Sequence, residues 1–212
     1  MTHGESNRET EIKLRLASAA DGRLLLERAG LHVSRPRAFE DNCVFDTPTR
    51  SMRQSGTLLR IRIVDGEGTL TYKGPAAPGR YKVREELEAH TQDAVVLRTI
   101  LERLGFREVF RYQKFRTEFR DDSNQGTATL DETPIGGFLE LEGAPAWIDR
   151  TAQALGFSDA DYVTASYLQL YLEFCAARGA APGNMVFPES QIPADQETSI
   201  SQPKPGRSEG RV

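Results

Sequence analysis

The feature that most constrains the fold of this chain is a regular alternation of charged and apolar residues. In the stretch NRETEIKLRL (residues 7–16), every second position carries a charge, at Glu9, Glu11, Lys13 and Arg15. Successive side chains of a β-strand point to opposite faces, so this period of two predicts a strand with one charged face. Strands are also predicted at residues 33–46, 57–64, 69–74, 80–90, 109–120, 127–131 and 137–143.

Helical patterns lie between and after these strands. Residues 18–30 and 91–105 begin with Ser or Thr followed by Asp, and both end at a glycine, as helices commonly do. Residues 146–156 and 165–178 are also predicted to be helical. Consecutive strands joined by hairpin turns such as 65–68 favour an antiparallel sheet that closes on itself. The sequence therefore predicts an α+β fold, an eight-stranded antiparallel β-barrel with helices packed outside.

Composition and charge narrow the class of partner. The chain has 212 residues and a net charge of -4, which argues against a nucleic-acid partner held by bulk positive charge. No run approaches the roughly 18 apolar residues that a membrane span needs. The first ten residues also lack the apolar segment of a signal peptide. We therefore expect a cytoplasmic protein without a membrane or nucleic-acid partner.

The cysteines and the C-terminal composition bear on domain organisation. Cys43 and Cys175 lie far apart in apolar stretches, which predicts two reduced core thiols. Residues 179–212 are rich in Pro, Gly, Ser and Gln and contain few large apolar side chains. The sequence therefore predicts one domain over residues 1–178 and a disordered tail over 179–212.

The charged faces of the strands are sorted by sign. Arg60 and Arg62 share one face of their strand, and Glu140 and Glu142 share another. A solvated outer face is the simpler interpretation of any single strand, but such faces usually interleave the signs with neutral polar residues. Repeated like charges on several strands instead favour polar faces that point into the barrel, with the apolar faces covered by helices.

Such a tunnel has a predictable ligand. Closely spaced Arg and Lys repel one another unless they bind a polyanion, and both side chains suit phosphate oxygens. Carboxylates cannot contact phosphate directly, but Glu9, Glu11, Glu140 and Glu142 are suitable ligands for a hard divalent cation, Mg²⁺ or Mn²⁺. The pattern therefore predicts a metal-bound polyphosphate.

Several motifs, in order, resemble one known family. Residues 9–13 (ETEIK) are similar to the ExExK signature of the CYTH, or triphosphate tunnel metalloenzyme, superfamily. LRIR and LTYKGP follow, then VREELE, QKFR, TLDETPIGGFLELEG and SYLQLY, each similar to a later motif of that family. The resemblance covers residues 9–172.

The resemblance implies an eight-stranded tunnel and assigns roles to its residues. It implies phosphate contacts at Lys13, Arg60, Arg62, Lys73, Arg84, Lys114 and Arg116. It implies metal ligands chiefly at Glu9, Glu11 and Glu140, with Glu142 and Asp131 as further acids. It implies catalytic roles for Glu9, Glu11, Lys13, Glu86 and Glu88.

Three functions follow from the resemblance. The leading expectation is a metal-dependent hydrolase acting on tripolyphosphate or on a small organic triphosphate such as thiamine triphosphate or ATP. Short hydrolases of the family use a tyrosine on the second strand, where this chain has NCVFD at 42–46, so another group would have to act. The second expectation is a class IV adenylyl cyclase, since TYKGP and SYLQLY resemble that branch.

The third expectation is a non-catalytic polyphosphate-binding module, which the presence of metal-type carboxylates disfavours. The sequence does not decide whether the protein forms a homodimer, because Phe138, Leu139 and Leu141 suit either a core or an interface.

Overall fold

The computed structural model describes residues 8–192. Its strands are β1 (Arg8–Arg15), β2 (His32–Asp46), β3 (Leu58–Val64), β4 (Glu67–Lys73), β5 (Lys82–Thr91), β6 (Arg107–Arg120), β7 (Gly126–Thr133) and β8 (Gly136–Gly143). Its helices are α1 (Ala19–Arg28), α2 (Ser51–Gln54), α3 (Ala94–Arg103), α4 (Pro145–Ala154) and α5 (Tyr167–Ala177), with 3-10 turns at Asp159–Asp161 and Glu189–Gln191.

The eight strands form a closed barrel in the order β1-β5-β4-β3-β2-β6-β7-β8. Every neighbouring pair is antiparallel, and β1 closes the barrel by pairing with both β5 and β8. The prediction of an eight-stranded antiparallel barrel is confirmed. The structure adds α2 at one barrel end, where Asp46 accepts hydrogen bonds from the backbone nitrogens of Met52 and Arg53.

The outer faces of the strands carry the hydrophobic core. Ile12 and Leu14 of β1 are fully buried beside Leu139 and Leu141 of β8, and Trp147 of α4 packs against them. A second cluster buries β2 and β3 side chains against α3. Charged side chains on the same strands alternate to the other face and point inward. The apolar outer faces therefore require the helices that cover them.

The three apolar residues of β8 that could have formed a dimer interface, Phe138, Leu139 and Leu141, belong to the core of this chain. Leu139 and Leu141 have no exposed surface, and Phe138 is 2% exposed beside Tyr167 of α5. Cys43 and Cys175 are both buried free thiols. Within residues 8–192, no helix is long and apolar enough to cross a membrane.

The structure differs from the predicted tail over residues 179–192. Met185 is 1% exposed and pairs with β6, where the Gln113 nitrogen donates to its carbonyl at 2.9 Å. The Phe187 ring lies 5.2 Å from that of Phe115. Two apolar side chains in a polar segment anchor it here because each occupies a preformed site on β6. Residues 193–212, the rest of the predicted tail, lie outside the described residues.

The Trp147 ring packs against Gly126 and Gly143, and this contact allows a test of the fold. Gly126→Ala should lower the melting temperature by several degrees or prevent folding, because a Cβ there would lie 2.3 Å from the buried indole ring. Gly183→Ala is the matched control, since its Cβ would meet no atom within 4 Å. Thermal melts of the two variants make the comparison, and equal melting temperatures would contradict the described packing.

Candidate active site

The barrel encloses a cavity of about 1020 Å³ lined by side chains from all eight strands. With the exception of Asp131, every residue that the resemblance assigned to the site lines it. These are Glu9, Glu11, Lys13, Arg60, Arg62, Lys73, Arg84, Glu86, Glu88, Lys114, Arg116, Glu140 and Glu142. The strand alternation thus brings residues as far apart in the chain as Glu9 and Glu142 onto one inner surface.

One wall of the cavity combines acids with bases that neutralise them. Lys73 donates to both carboxylate oxygens of Glu9 at 2.8 Å, and Arg84 donates to the same group at 3.2 Å. Burial and the neighbouring Glu11 carboxylate nevertheless keep the pKa of Glu9 above its ordinary value. Glu9 therefore lies in a region where negative charge is incompletely compensated.

Glu11 lies one step further along the same strand and is better compensated. Lys82 donates to it at 2.9 Å, and the Lys13 ammonium lies 3.4 Å from the same oxygen. Burial alone would raise the pKa of Glu11, but the charges of Lys13 and Lys82 outweigh it and hold that pKa well below its ordinary value. Lys13 also pairs with Glu140 at 3.0 Å.

Glu142 is the least compensated acid of this wall. It lies directly opposite Glu11 in the pairing of β1 with β8, an arrangement of like charges that is unfavourable by itself. Glu142 contacts the solvent of the cavity, but the barrel wall still restricts its hydration. That restriction, with the charge of Glu9, raises the pKa of Glu142 to about 7. An added cation would relieve this repulsion.

The opposite wall presents the remaining bases. Arg60 donates to the Tyr112 hydroxyl and to the Thr71 hydroxyl, both at 3.1 Å. Burial alone would raise the pKa of Tyr112, but the positive charges of Arg60 and Lys114 outweigh it and lower that pKa. The Lys114 ammonium of this wall lies 5.2 Å from the centre of the Tyr167 ring, and that of Lys13 on the acidic wall lies 5.3 Å from it. This wall is therefore strongly positive.

The structure does not bring Asp131 to the cavity. Asp131 is fully buried behind the lining, where it accepts hydrogen bonds from Lys114 at 2.8 Å and from Arg116 at 2.7 and 2.6 Å. The Tyr167 hydroxyl of α5 donates to it at 2.6 Å. Four donors saturate this carboxylate, so the geometry favours a role in holding two lining bases rather than the metal role implied by the resemblance.

The donor chemistry of the acidic wall fits a divalent cation, although a cation is not pre-coordinated there. Over the part of the chain that the structure describes, no group of three or more His, Cys, Asp or Glu side chains is arranged to hold a metal ion. The acids are drawn instead towards Lys13, Lys73, Lys82 and Arg84. Glu9, Glu11 and Glu142 supply only carboxylate oxygens, the ligands that Mg²⁺ and Mn²⁺ prefer.

Sequence reasoning missed several residues of the site. The alternation could have assigned Lys82 to the cavity, because Lys82 precedes Arg84 by two positions on the same strand and so shares its face. Glu40 was hidden in the run EDN, where consecutive polar residues obscure which face points inward. Tyr167 reaches the cavity from a helix, so no strand period could reveal it.

The electrostatics of Glu142 lead to a prediction about stability and pH. Glu142→Gln should raise the melting temperature of the metal-free protein more at pH 8 than at pH 5. A carboxyl group with its folded pKa raised to about 7 stabilises the fold while neutral, and this contribution is lost as the pH rises from about 4.5 through 7. At pH 8 the wild type carries the unfavourable charge and the variant does not.

Thermal melts in the presence of a chelator measure this difference. A gain that is equal at the two pH values, or larger at pH 5, would contradict the repulsion between Glu142 and the neighbouring acids.

Comparison with known proteins gives consistent results. The CYTH domain model matches residues 7–167. The putative adenylate cyclase MJ0240 of Methanocaldococcus jannaschii is 30% identical over 173 residues, which cover 76% of this chain and 97% of that protein. The family match spans the whole barrel and ends at Tyr167, the first residue of α5.

Solved structures share the same fold. The PH1819 protein of Pyrococcus horikoshii is 28% identical with a TM-score of 0.65, covering 78% of this chain and 98% of that one. A putative adenylate cyclase of Vibrio parahaemolyticus is 22% identical with a TM-score of 0.68, with the same coverage. The putative adenylyl cyclase HpAC1 of Hippeastrum, described as having a dominant triphosphatase activity, is 20% identical with a TM-score of 0.55 and covers 82% of this chain and 97% of its own.

Proposed function

This chain belongs to the CYTH domain family, and we propose that it is a divalent-metal-dependent enzyme that hydrolyses the terminal phosphoanhydride of a triphosphate inside its barrel. The substrate is tripolyphosphate or a small organic triphosphate such as thiamine triphosphate or ATP. The observation that carries the proposal is the division of one enclosed cavity into a strongly basic wall and an under-compensated acidic wall.

The bases supply the grip on the phosphates. Arg60 and Arg62 can bind phosphate oxygens through paired N–H groups, and Lys13, Lys73 and Lys114 act as point charges. Most of these bases are already ion-paired, so phosphate oxygens would take the place of carboxylates around them. Arg84 and Arg116 contribute in the same way from their neighbouring strands.

The acids divide into two groups. Glu9, Glu11 and Glu142, with Glu140 beside them, would hold Mg²⁺ or Mn²⁺, which when bound supplies Lewis-acid stabilisation of phosphate charge. Glu86 pairs with Lys73 at 3.0 Å, and Glu88 lies 3.5 Å from Arg62. Glu86 and Glu88 therefore orient two phosphate-binding bases.

The barrel itself contributes to the rate by preorganisation. Its bases project from paired strands, so once phosphate oxygens have replaced the carboxylates around them they would need little further rearrangement as charge develops on the departing phosphate. Burial of lining groups such as Lys13 and Lys114 also strengthens their interactions, because the barrel wall screens charge less than water does.

A second function is class IV adenylyl cyclase activity, in which a ribose 3'-hydroxyl attacks the α-phosphorus of ATP and pyrophosphate leaves. The name of the M. jannaschii relative favours it. The same bases would bind the triphosphate, and the two reactions differ in which phosphorus meets the nucleophile. A binding module without turnover is disfavoured because it would not need the acidic wall.

A product assay tests the proposal. With Mg²⁺ or Mn²⁺, we expect tripolyphosphate to yield orthophosphate and pyrophosphate, and ATP to yield orthophosphate rather than cyclic AMP. Cyclic AMP with pyrophosphate would support the cyclase instead. Binding of the triphosphates without turnover under either metal would contradict both reactions and support a binding module.

A pair of double variants tests the acidic wall. Glu9→Gln combined with Glu11→Gln should reduce turnover by roughly a hundredfold or more while the protein stays folded, because two candidate metal ligands lose their charge. Glu67→Gln combined with Glu85→Gln makes the same charge change at exposed positions outside the cavity and should leave turnover unchanged. Equal activity of the two double variants would refute the metal assignment.

A further inference from the structure

A group of buried polar atoms beside the cavity lacks hydrogen-bond partners. In residues 8–192, seven buried side-chain polar atoms have no such partner, and five of them lie on the adjacent strands β2 and β3. They are Glu40 Oε2, Asn42 Nδ2, Asn42 Oδ1, Arg60 Nε and Arg62 Nε. Buried polar groups in native proteins are nearly always satisfied, so five together call for a further polar partner on this wall, either a buried water or a ligand group.

The register of the barrel places these atoms side by side. Asn42 has no exposed surface and lies opposite Arg62 of β3 and Tyr112 of β6. Glu40 is 4% exposed, two residues before Asn42, and lies opposite Lys114. Side chains directly opposite one another on paired strands have Cβ atoms roughly 5 Å apart, so all five atoms belong to one neighbourhood.

This neighbourhood borders the cavity. Lys114 Nζ lies 3.5 Å from Glu40 Oε2, and Arg62 Nη1 lies 3.7 Å from Glu40 Oε1. Lys114 and Arg62 both line the cavity, as do Arg60 and Tyr112, whereas Glu40 lies one layer behind them. A small group that enters between these bases would therefore meet Glu40 and Asn42.

The mixture of donors and acceptors without hydrogen bonds identifies the chemistry of that group, although Glu40 Oε2 is also ion-paired with Lys114. Asn42 Nδ2, Arg60 Nε and Arg62 Nε are donors, whereas Glu40 Oε2 and Asn42 Oδ1 are acceptors. A phosphate oxygen would be repelled by the Glu40 carboxylate, and a metal ion would be repelled by the two guanidinium groups. A hydroxyl-bearing group such as water both donates and accepts, so it can bond to donors and acceptors of this set at once.

We propose that Glu40 and Asn42 seat the hydroxyl group that attacks phosphorus in the reaction of this enzyme. The inference rests on the proposed function and adds the position of the nucleophile to it. The hydroxyl belongs to water in the hydrolysis and to a substrate alcohol in the cyclisation. Glu40 and Asn42 Oδ1 accept the two hydrogens of water, whereas Glu40 accepts the single hydrogen of an alcohol. An N–H of the cluster without a hydrogen bond donates to the oxygen in either case.

The step is balanced without another reactant. The seated oxygen forms a bond to phosphorus, and the anhydride P–O bond breaks with its electron pair passing to the departing phosphate oxygen. The hydroxyl proton passes to a phosphate oxygen of the products. Burial alone would raise the pKa of Glu40, but Lys114 and Arg62 outweigh it and hold that pKa far below its ordinary value, so Glu40 stays an acceptor throughout.

Two variants separate this role from a structural one. Glu40→Gln should lower kcat about a hundredfold, the usual range for a lost orienting group. The same variant should leave binding of tripolyphosphate to the metal-free protein unchanged or tighter, because Lys114 and Arg62 lose an anionic neighbour. Asn42→Leu should lower kcat with no change in charge, and it carries the test if Glu40→Gln does not fold.

Glu118→Gln is the matched control. Glu118 lines the same cavity on β6 and pairs with the exposed Arg35 at 3.2 Å, so the substitution makes the same charge change away from the cluster. Its kcat should stay within threefold of the wild type. The measurements are kcat with Mg²⁺, tripolyphosphate affinity by calorimetry in a chelator, and the melting temperature of each variant.

The outcomes distinguish the nucleophile site from the proposed function. Absence of turnover by the wild type would overturn the proposed function and this inference with it. Wild-type turnover together with a kcat within threefold in both Glu40→Gln and Asn42→Leu would overturn this inference alone. A parallel fall in kcat, tripolyphosphate affinity and melting temperature in both variants would also overturn it, since that pattern marks a structural role.

The source of the hydroxyl is decided on the wild type. Oxygen-18 from labelled water in the orthophosphate product identifies water as the seated group. Cyclic AMP from ATP, without label, identifies the ribose hydroxyl.

Discussion

The structure depends on mutual neutralisation of charges that face the inside of a closed barrel. Lys13, Lys114 and Asp131 are each at most 3% exposed, and a buried charge without a partner would oppose folding strongly. Cross-strand ion pairs such as Lys13–Glu140 and Lys114–Asp131 make this burial tolerable. In the proposed function, phosphate oxygens would replace some of the carboxylates in these ion pairs.

The position of the helices also follows from the inward-facing charges of the barrel. Since the inner strand faces are polar, the apolar faces point outward and must be covered by other elements. Trp147 and Leu26 cover β1, β7 and β8, and Leu101 covers β3. Helix α5 also supports the cavity lining. Its Tyr167 hydroxyl donates a hydrogen bond to Asp131, which in turn accepts hydrogen bonds from the cavity bases Lys114 and Arg116. Cover and site are therefore physically connected.

The sequence predicts the strands, the barrel and most of the cavity lining because each depends on a period of two. Glu9, Glu11 and Lys13 are recognisable on one strand, and the same alternation places Arg60 and Arg62. The period fails where polar residues fall on both faces, as at Glu40, and it says nothing of side chains delivered by helices. Register is a further limit, since only the folded barrel places Glu142 opposite Glu11.

Packing against a preformed surface is also invisible to composition. Met185 and Phe187 lie in a segment with few apolar residues, yet each occupies a site that β6 provides. Asp131 shows a different limit. It matches the family motif, but hydrogen-bond donors behind the cavity lining, among them Lys114 and Tyr167, already occupy its carboxylate. Local pattern thus predicts which residues face inward, whereas long-range contacts decide which of them remain available to a ligand.

The measurement that tests this account most directly is a calorimetric titration of tripolyphosphate into the protein with and without Ca²⁺, a hard divalent ion chosen to limit turnover. We expect the ion to raise the affinity at least about tenfold in the wild type, because it bridges the acidic wall to the polyanion. We expect no such gain in the variant that combines Glu9→Gln with Glu11→Gln. Orthophosphate is titrated in parallel. If it binds as tightly as tripolyphosphate, or if Ca²⁺ still raises the tripolyphosphate affinity of the double variant, the cavity is not built for a metal-bound polyphosphate.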